Sequence, residues 1–377
     1  MAKVLILLSK PFSEDSRVNR EVRSIVKSNH SVVIFTWNRE KIPPSKAENK
    51  SSIEVKSLGP YCPKRSFIHY ILKLPLFWLS CLLAIRKRDF QIIHANDLDT
   101  LPLGFFLSRL RRCHLIYDAH ESYADMISTD VPGIIVSLTR ILQKWLLKMT
   151  DIVIVANKRI ASLIGAETAI VVMNCPSEAE LPSLKIEDYE AQKAGAKNLG
   201  YFGSLEPGRF LTAAMDVISG QQIWSLVVAG DGTLINVVEE VAKNHASIVY
   251  LGKLPHDEAM KKAAGCNVML VLLDPLNINN VIGSPNRLFE AMSVGVPPIV
   301  TTDTYSAEIV RSEKCGFVCD YNKRALSDLI DKLNRDPSEI FEKGKRAREA
   351  FMREFNWKNQ ESRLIQIYTE IGDQSKQ

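Results

Sequence analysis

Short runs of branched apolar residues recur along the chain, each followed by an amphipathic segment of helix length. In the first half the runs are KVLILL (3–8), SVVIFTW (31–37), SIEVKS (52–57), QIIH (91–94), HLIYD (114–118), DIVIVA (151–156) and AIVVM (169–173). In the second half they are NLGYFG (198–203), SLVVAG (225–230), SIVYLG (247–252), NVMLVLL (267–273), PPIVT (297–301) and GFVCD (316–320). Strands that are apolar throughout, rather than alternating, are covered on both faces, and their alternation with helices predicts parallel sheets. The pattern occurs twice, which predicts an α/β protein of two doubly wound, Rossmann-like domains. The stretch 174–198 is rich in Pro, Ser and charge and has no apolar periodicity, so it reads as the division between them.

Composition agrees and narrows the chemistry. With 377 residues, 46% hydrophobic and 24% charged, the chain is long enough for two globular cores. Its seven cysteines, at 62, 81, 113, 175, 266, 315 and 319, show no paired spacing of the zinc-binding kind, and they read as small buried hydrophobes in a reducing compartment. The apolar run at the N-terminus is short and followed by charge, which predicts a first strand rather than a signal peptide. Residues 1–175 carry a net charge of +10 and the remainder −5. A basic first half suits nucleic acid, an anionic membrane or an anionic substrate. No zinc-finger or RNP-like signature is present, so nucleic acid is set aside. The most apolar stretch, 66–89, is interrupted by Lys73 and Pro75 and is too short to span a bilayer. It reads either as a buried helix or as an interfacial one, whose flanks at 64–65 and 86–88 suit an anionic surface.

In open parallel sheets, ligands sit beyond the carboxyl ends of the strands. After the strand at 198–203, Gly203 and Gly208 permit a tight turn with backbone close to a ligand, and Arg209 adds a permanent charge. That is either a diphosphate cradle or a Gly-containing turn with a solvated Arg. Gly230 ends the next strand in the same way. The segment SPNRLFEAMSVGVPPIVTTD (284–303) reads as a helix with Ser284 as N-cap, Pro285 in the first turn and Gly295 as its stop. Such an N-terminus, with Ser284, Asn286 and Arg287, suits phosphate. Glu290 would lie about 9 Å further along at ~1.5 Å per residue, roughly the reach from a diphosphate to a ribose whose vicinal hydroxyls one carboxylate accepts. The alternative is a Glu at an exposed helix edge or paired with a structural Arg.

Taken with YFGSLEPGR and VVAGDG, this segment resembles the donor-nucleotide half of GT-B glycosyltransferases of the family-4-like, retaining type. EDSRVNREVRSIVKSNHSVVIFTW, IIHANDLDTLPLG and LIYDAHESY resemble the acceptor domain of that group, and the final FNWKNQESRLIQIYTEI resembles its terminal crossing helix. The resemblance implies an acceptor-binding domain over 1–175 with a returning helix at 358–377, a linker at 176–197, and a nucleotide-sugar-binding domain over 198–357. It implies that Glu290 holds the ribose and Arg209 the diphosphate, helped by Gly203, Ser204, Gly230 and the amides of Ser284, Asn286 and Arg287. His120, past the LIYDAH strand, would face the transferred sugar, accepting a hydrogen bond when neutral or steadying the leaving phosphate when protonated. Asp97 and Asp118 would lie on the acceptor side.

Two positions depart from the family pattern. Ile282 stands where a second Glu usually contacts the donor sugar, and Ser204 stands where a basic residue usually follows FG. Asn279, Asn280 and amides near Gly283 would replace the missing sugar contacts. The only D-x-D spacing of interest, DLD at 97–99, falls in the acceptor half, so no obligatory metal or other cofactor is expected. The resemblance implies transfer of a sugar from a nucleotide diphosphate sugar to a saccharide or lipid-linked acceptor, in the cytoplasm or at the inner membrane face. A sugar-nucleotide 2-epimerase shares the architecture, and a non-catalytic sugar-nucleotide-binding subunit is the third reading.

Overall fold

The structure, a computed structural model, describes residues 2–37, 39, 52–62, 67–85, 88–128, 130–178 and 197–374. Two compact units divide the chain: Met1–Met173 with Gln360–Gln377, and Asn174–Asn359. Of the expected linker, residues 179–196 lie outside the described residues.

In the first unit the apolar runs become β1 (Lys3–Leu8), β2 (Ser31–Trp37), β3 (Ile53–Leu58), β4 (Ile92–Asn96), β5 (His114–Ala119), β6 (Ile152–Val155) and β7 (Ile170–Val171). They pair in parallel in the order β3-β2-β1-β4-β5-β6-β7, with Lys3 opposite Ser31 and Val4 opposite Ile92. The helices are α1 (Ser16–Lys27), α2 (Phe67–Ala84), α3 (Leu101–Arg111), α4 (Tyr123–Met126), α5 (Gly133–Leu147) and α6 (Lys158–Ile164). α1 shows how the sequence sets such an element. Asp15 caps it by accepting from the Val18 amide at 3.0 Å, and Val18, Val22 and Ile25, spaced on one face, are buried.

The second unit repeats the plan with β8 (Lys197–Phe202), β9 (Trp224–Ala229), β10 (Ile248–Tyr250), β11 (Val268–Val271), β12 (Pro298–Thr301) and β13 (Phe317–Cys319). Its parallel order is β10-β9-β8-β11-β12-β13. The intervening helices are α7 (Leu211–Ser219), α8 (Ile235–Asn244), α9 (His256–Ala264), α10 (Ile278–Ile282), α11 (Asn286–Ser293), α12 (Tyr305–Glu313), α13 (Lys323–Arg335) and α14 (Ser338–Arg353). One face of this sheet packs a core around Leu199, Tyr201, Leu226, Val228, Leu270 and Ile299. The last helix, α15 (Trp357–Gln374), packs with the first unit from Gln360 on, where Tyr368 is fully buried beside His94.

Each order reverses direction once, at β1/β4 and at β8/β11. At such a point neighbouring crossovers leave on opposite faces of the sheet, and a crevice opens beyond the strand ends. Chemistry is therefore expected after β1 and β4 in one unit and after β8 and β11 in the other.

The apolar stretch forms α2, but Leu72, Leu76, Leu79 and Leu83 are exposed, so it is not a core helix all round. Of its basic flanks, Lys64, Arg65, Arg86 and Lys87 lie outside the described residues, and Arg88 is committed to Glu54 at 2.6 Å. Among the described residues, no helix is long and apolar enough to cross a membrane. All seven cysteines are free thiols and six are buried.

Candidate functional site

Beyond the ends of β8 and β9, in the second unit, lies a cavity of about 480 Å³. Its walls bring together Gly203, Ser204, Arg209, Gly230, Asn286, Arg287 and Glu290 from three separate segments. Ser284, Ile282, Asn279 and Asn280 are not among the lining residues, whereas His256 of α9 is. The floor requires glycine. Gly203 and Gly230 have φ of 146° and 155°, and a methyl group at Gly230 would sit 1.8 Å from the Gly203 carbonyl oxygen. One at Gly203 would press on the Arg287 side chain at 2.9 Å. Backbone of two strand ends and one Arg side chain are thus layered without room for a Cβ. Glu206 ties the two loops together by accepting from the Thr233 amide and hydroxyl.

α11 begins one residue later than its sequence suggests. Pro285, with ψ 144°, is the N-cap, and its side chain accepts nothing. Ser284 is therefore not the cap: Pro285 is itself extended, so the first helical residue is Asn286. The helix N-terminus is left uncapped at the cavity wall, with the amides of Asn286 and Arg287 as its first two. Arg287 is 8% exposed, and its guanidinium lies 4.7 Å from the centre of the Tyr201 ring. Its Nη1 is buried and finds no hydrogen-bond partner among the described residues. A buried cation nitrogen without an acceptor is costly, and together with an uncapped helix start it describes a place prepared for an anion. Glu290 stands one turn into α11, so the separation is about 6 Å at ~1.5 Å per residue rather than 9 Å. Its side chain is 17% exposed, with Oε1 4.0 Å from His256 Nδ1.

The first unit gathers a second cluster beyond β1, β4 and β5. His120 follows β5; its Nε2 lies 3.1 Å from Asp118 Oδ2 and its Nδ1 3.4 Å from Asp97 Oδ2. Asp97 has φ 61°, a left-handed conformation that Asp tolerates, and its carboxylate also accepts from the His120 amide. Burial opposes charge on His120, but Asp97 and Asp118 outweigh it and push its pKa up to about 9. An imidazolium has no lone pair to offer. Of the two roles expected of His120, this environment favours the protonated one, with both ring N–H groups turned to carboxylates.

Asp118 cannot touch an acceptor itself. It is fully buried, and Arg17 grips it from Nη2 at 2.7 Å and from Nε at 3.1 Å. Burial works against its charge, but Arg17 and His120 hold its pKa well below the usual carboxylate range. Arg17 Nε also lies 3.0 Å from Glu21 Oε1. Burial and the neighbouring Asp118 push the Glu21 carboxyl up, so it keeps its proton at neutral pH. Asp118 acts through His120 rather than on a ligand. Glu21, His94 and Asp118 stand close enough to share a metal ion, but the Arg17 guanidinium already meets the Asp118 carboxylate and the Glu21 carboxyl group.

Arg17, Glu21, His256 and the side chain of Arg287 escaped the sequence reading. For the first two a signal exists: a charged pair at i,i+4 adjoining the buried face of α1. Arg287 was named as a polar group at the helix start and for its amide, but nothing local shows that its guanidinium turns inward.

Comparison with known proteins places these two sites in a family context. Residues 17–167 match the model described as Glycosyltransferase Family 4, and residues 196–336 match that of Glycosyl transferases group 1. No curated protein matches the chain. Among solved structures, the sucrose-phosphate synthase of Thermosynechococcus elongatus superposes with a TM-score of 0.79 at 15% identity, over 99% of this chain and 100% of that one. HepE of Anabaena in complex with UDP-glucose gives 0.70 at 13% identity, over 98% and 100%. WaaG, a glycosyltransferase involved in lipopolysaccharide biosynthesis, gives 0.69 at 13%, over 96% and 98%. At such identities the likeness to these structures is one of fold.

Proposed function

Because the chain belongs to the GT-B glycosyltransferases of the family-4-like type, we propose that it moves a sugar from a nucleoside diphosphate sugar to a hydroxyl of a saccharide or lipid-linked acceptor, with retention at the anomeric carbon. The observation that carries the donor assignment is Arg287 Nη1, buried and unpartnered, beside the uncapped start of α11. The diphosphate is read into that position, with Arg209 on its other side, and Glu290 accepts from the two ribose hydroxyls one helical turn away. Uridine is the base to try first, since HepE is solved with UDP-glucose.

The new C–O bond forms as the anomeric bond to the diphosphate breaks. The bonding pair leaves with the phosphate, and the acceptor proton passes to a phosphate oxygen on the same face of the sugar. Arg209, Arg287 and the α11 N-terminus stabilise the charge that develops there, which is electrostatic catalysis and leaves no obligatory role for a metal. His120, cationic and held by Asp118 at one ring nitrogen and Asp97 at the other, contributes its positive charge next to the sugar. The protein is further assigned to surface glycan or polysaccharide synthesis as a peripheral protein on an anionic membrane, a reading supported by its basic first half.

The test is to incubate the full chain with UDP-glucose and other nucleotide sugars, with and without a panel of saccharide and lipid-linked acceptors. Nucleoside diphosphate release that depends on an acceptor supports the proposal. A new sugar nucleotide formed without any acceptor would replace it with an isomerase.

A further inference from the structure

α5 is apolar toward solvent as well as toward the protein, where Val136 and Leu146 are buried. It buries its one amide side chain, Gln143, which donates to the Tyr117 hydroxyl at 3.0 Å. Outward it shows Ile134, Leu138, Ile141 and Trp145, spaced i, i+4, i+7, i+11 along a single stripe, with Leu138 and Ile141 60% and 64% exposed. α2 repeats the spacing with Leu72, Leu76, Leu79 and Leu83. Between them α3 exposes Phe106 and Leu110.

The three helices form one surface. Each connects strands that advance in the same direction across the sheet, from β3 to β4, β4 to β5 and β5 to β6, so right-handed crossovers put all three on one face. Contacts agree: Phe105 of α3 meets Trp145 edge-on at 5.3 Å, Arg109 donates to the Met149 carbonyl just past α5, and Arg111 donates to the Ile85 carbonyl just past α2. A soluble protein rarely leaves so much contiguous apolar surface uncovered.

Charge selects the occupant. The three helices contain no Asp or Glu; of their cations Arg140 is paired with Asp125 and Arg111 lies 3.9 Å from Asp89, which leaves Lys73, Arg109 and Lys144 to set the sign of the face. A second copy of this face would bring like charges together, whereas an anionic lipid surface complements them and accepts the Leu and Trp side chains below its headgroups. We propose that α2, α3 and α5 together are the face by which the protein lies on an anionic bilayer. This deepens the peripheral association proposed above and rests on it.

Flotation with phosphatidylcholine vesicles and with mixed phosphatidylcholine–phosphatidylglycerol vesicles tests it, using the full chain and the double variant Leu138→Ser, Ile141→Ser. Both positions are exposed, so the fold is retained, which nucleotide-induced thermal stabilisation checks. The wild type should float with the anionic vesicles and do so less as salt rises. The double variant should bind at least about tenfold more weakly, since each CH₂ withdrawn from the membrane is worth roughly a fourfold factor. Leu276→Ser, at an exposed apolar position in the other unit, should float like the wild type. Equal flotation of the double variant and the wild type overturns this surface but leaves peripheral association standing. A monomeric wild type that floats with neither vesicle overturns both. A wild type that does not float but forms a dimer, abolished in the double variant, would give the face to a second copy of the chain and overturn the proposal.

Discussion

Arg287 holds a guanidinium out of water, against Tyr201, with a nitrogen that nothing in the described protein accepts. The free protein bears that cost and a bound anion would relieve it. Arg287→Met keeps the volume and removes the charge. Its thermal midpoint without ligand should equal or exceed that of the wild type, while affinity for a nucleoside diphosphate should fall by roughly 1.5–3 kcal/mol. The loss should be much smaller for the nucleoside alone. Calorimetry and melting curves on the same preparation read both; a variant that melts lower and binds the diphosphate normally would return Arg287 to a structural role. His120 belongs to the same scale. Its pKa, raised from 6.5 to about 9 against the opposition of burial, means that the folded state holds a proton there which the unfolded chain has lost. Its contribution is complete below pH 6.5 and is lost as pH rises through about 9. Melting temperature should therefore fall across that window, and His120→Asn should flatten the fall. An unchanged slope in the variant would mean that another group titrates there. Asp118, two residues before His120, was visible locally; that Asp97 meets the same ring, and that Arg17 holds Asp118, was not. Arg17 and Asp118 are 101 residues apart, and an ion pair formed only by folding leaves no spacing to read.

Among the elements, strands were the most legible. Every apolar run became a strand; those inside the sheets are covered on both faces and are apolar at nearly every position, whereas the edge strand β3 alternates and is only partly buried. Helix boundaries and faces were less so. α11 starts at Asn286 and not after Ser284, since Pro285 adopts an extended ψ of 144°, which the sequence S-P-N-R does not reveal. α5 reads GIIVSLTRILQKWLL, apolar nearly all round, and such a sequence does not say which side is exposed. The glycines at strand ends were recognised as sites of close approach, though not how close. Gly230→Ala must place a Cβ against the Gly203 carbonyl, at a φ that L-residues rarely adopt. It should cost at least about 1–3 kcal/mol and disturb the floor of the cavity. Gly133→Ala, at the start of α5 with no atom within 4 Å of the new methyl group, should be neutral or stabilising by roughly 0.4–1 kcal/mol. Denaturant unfolding of the pair gives the contrast; equal stabilities would mean that the β8 and β9 ends yield more easily than their packing suggests.

For the whole molecule, two parallel sheets with one reversal each fix where ligands are expected, and both clusters lie at those reversals. The sequence could show this because strand ends are marked by Gly, Asp and His where the apolar runs stop. It could not show which of those residues converge, since the cavity assembles positions 202 to 290 from separate crossovers. The assignment of the donor to that cavity is the centre of the account, and Glu290 tests it most directly. Calorimetry should compare wild type and Glu290→Gln against a nucleoside diphosphate and its 2′,3′-dideoxy analogue. The wild type should prefer the ribose form by roughly 1–3 kcal/mol, because two charge-assisted hydrogen bonds depend on its hydroxyls. In Glu290→Gln that preference should largely vanish, through weaker binding of the ribose form while the dideoxy form binds as before. If the folded variant keeps the full preference for the ribose form, Glu290 does not hold the ribose and the nucleotide lies elsewhere.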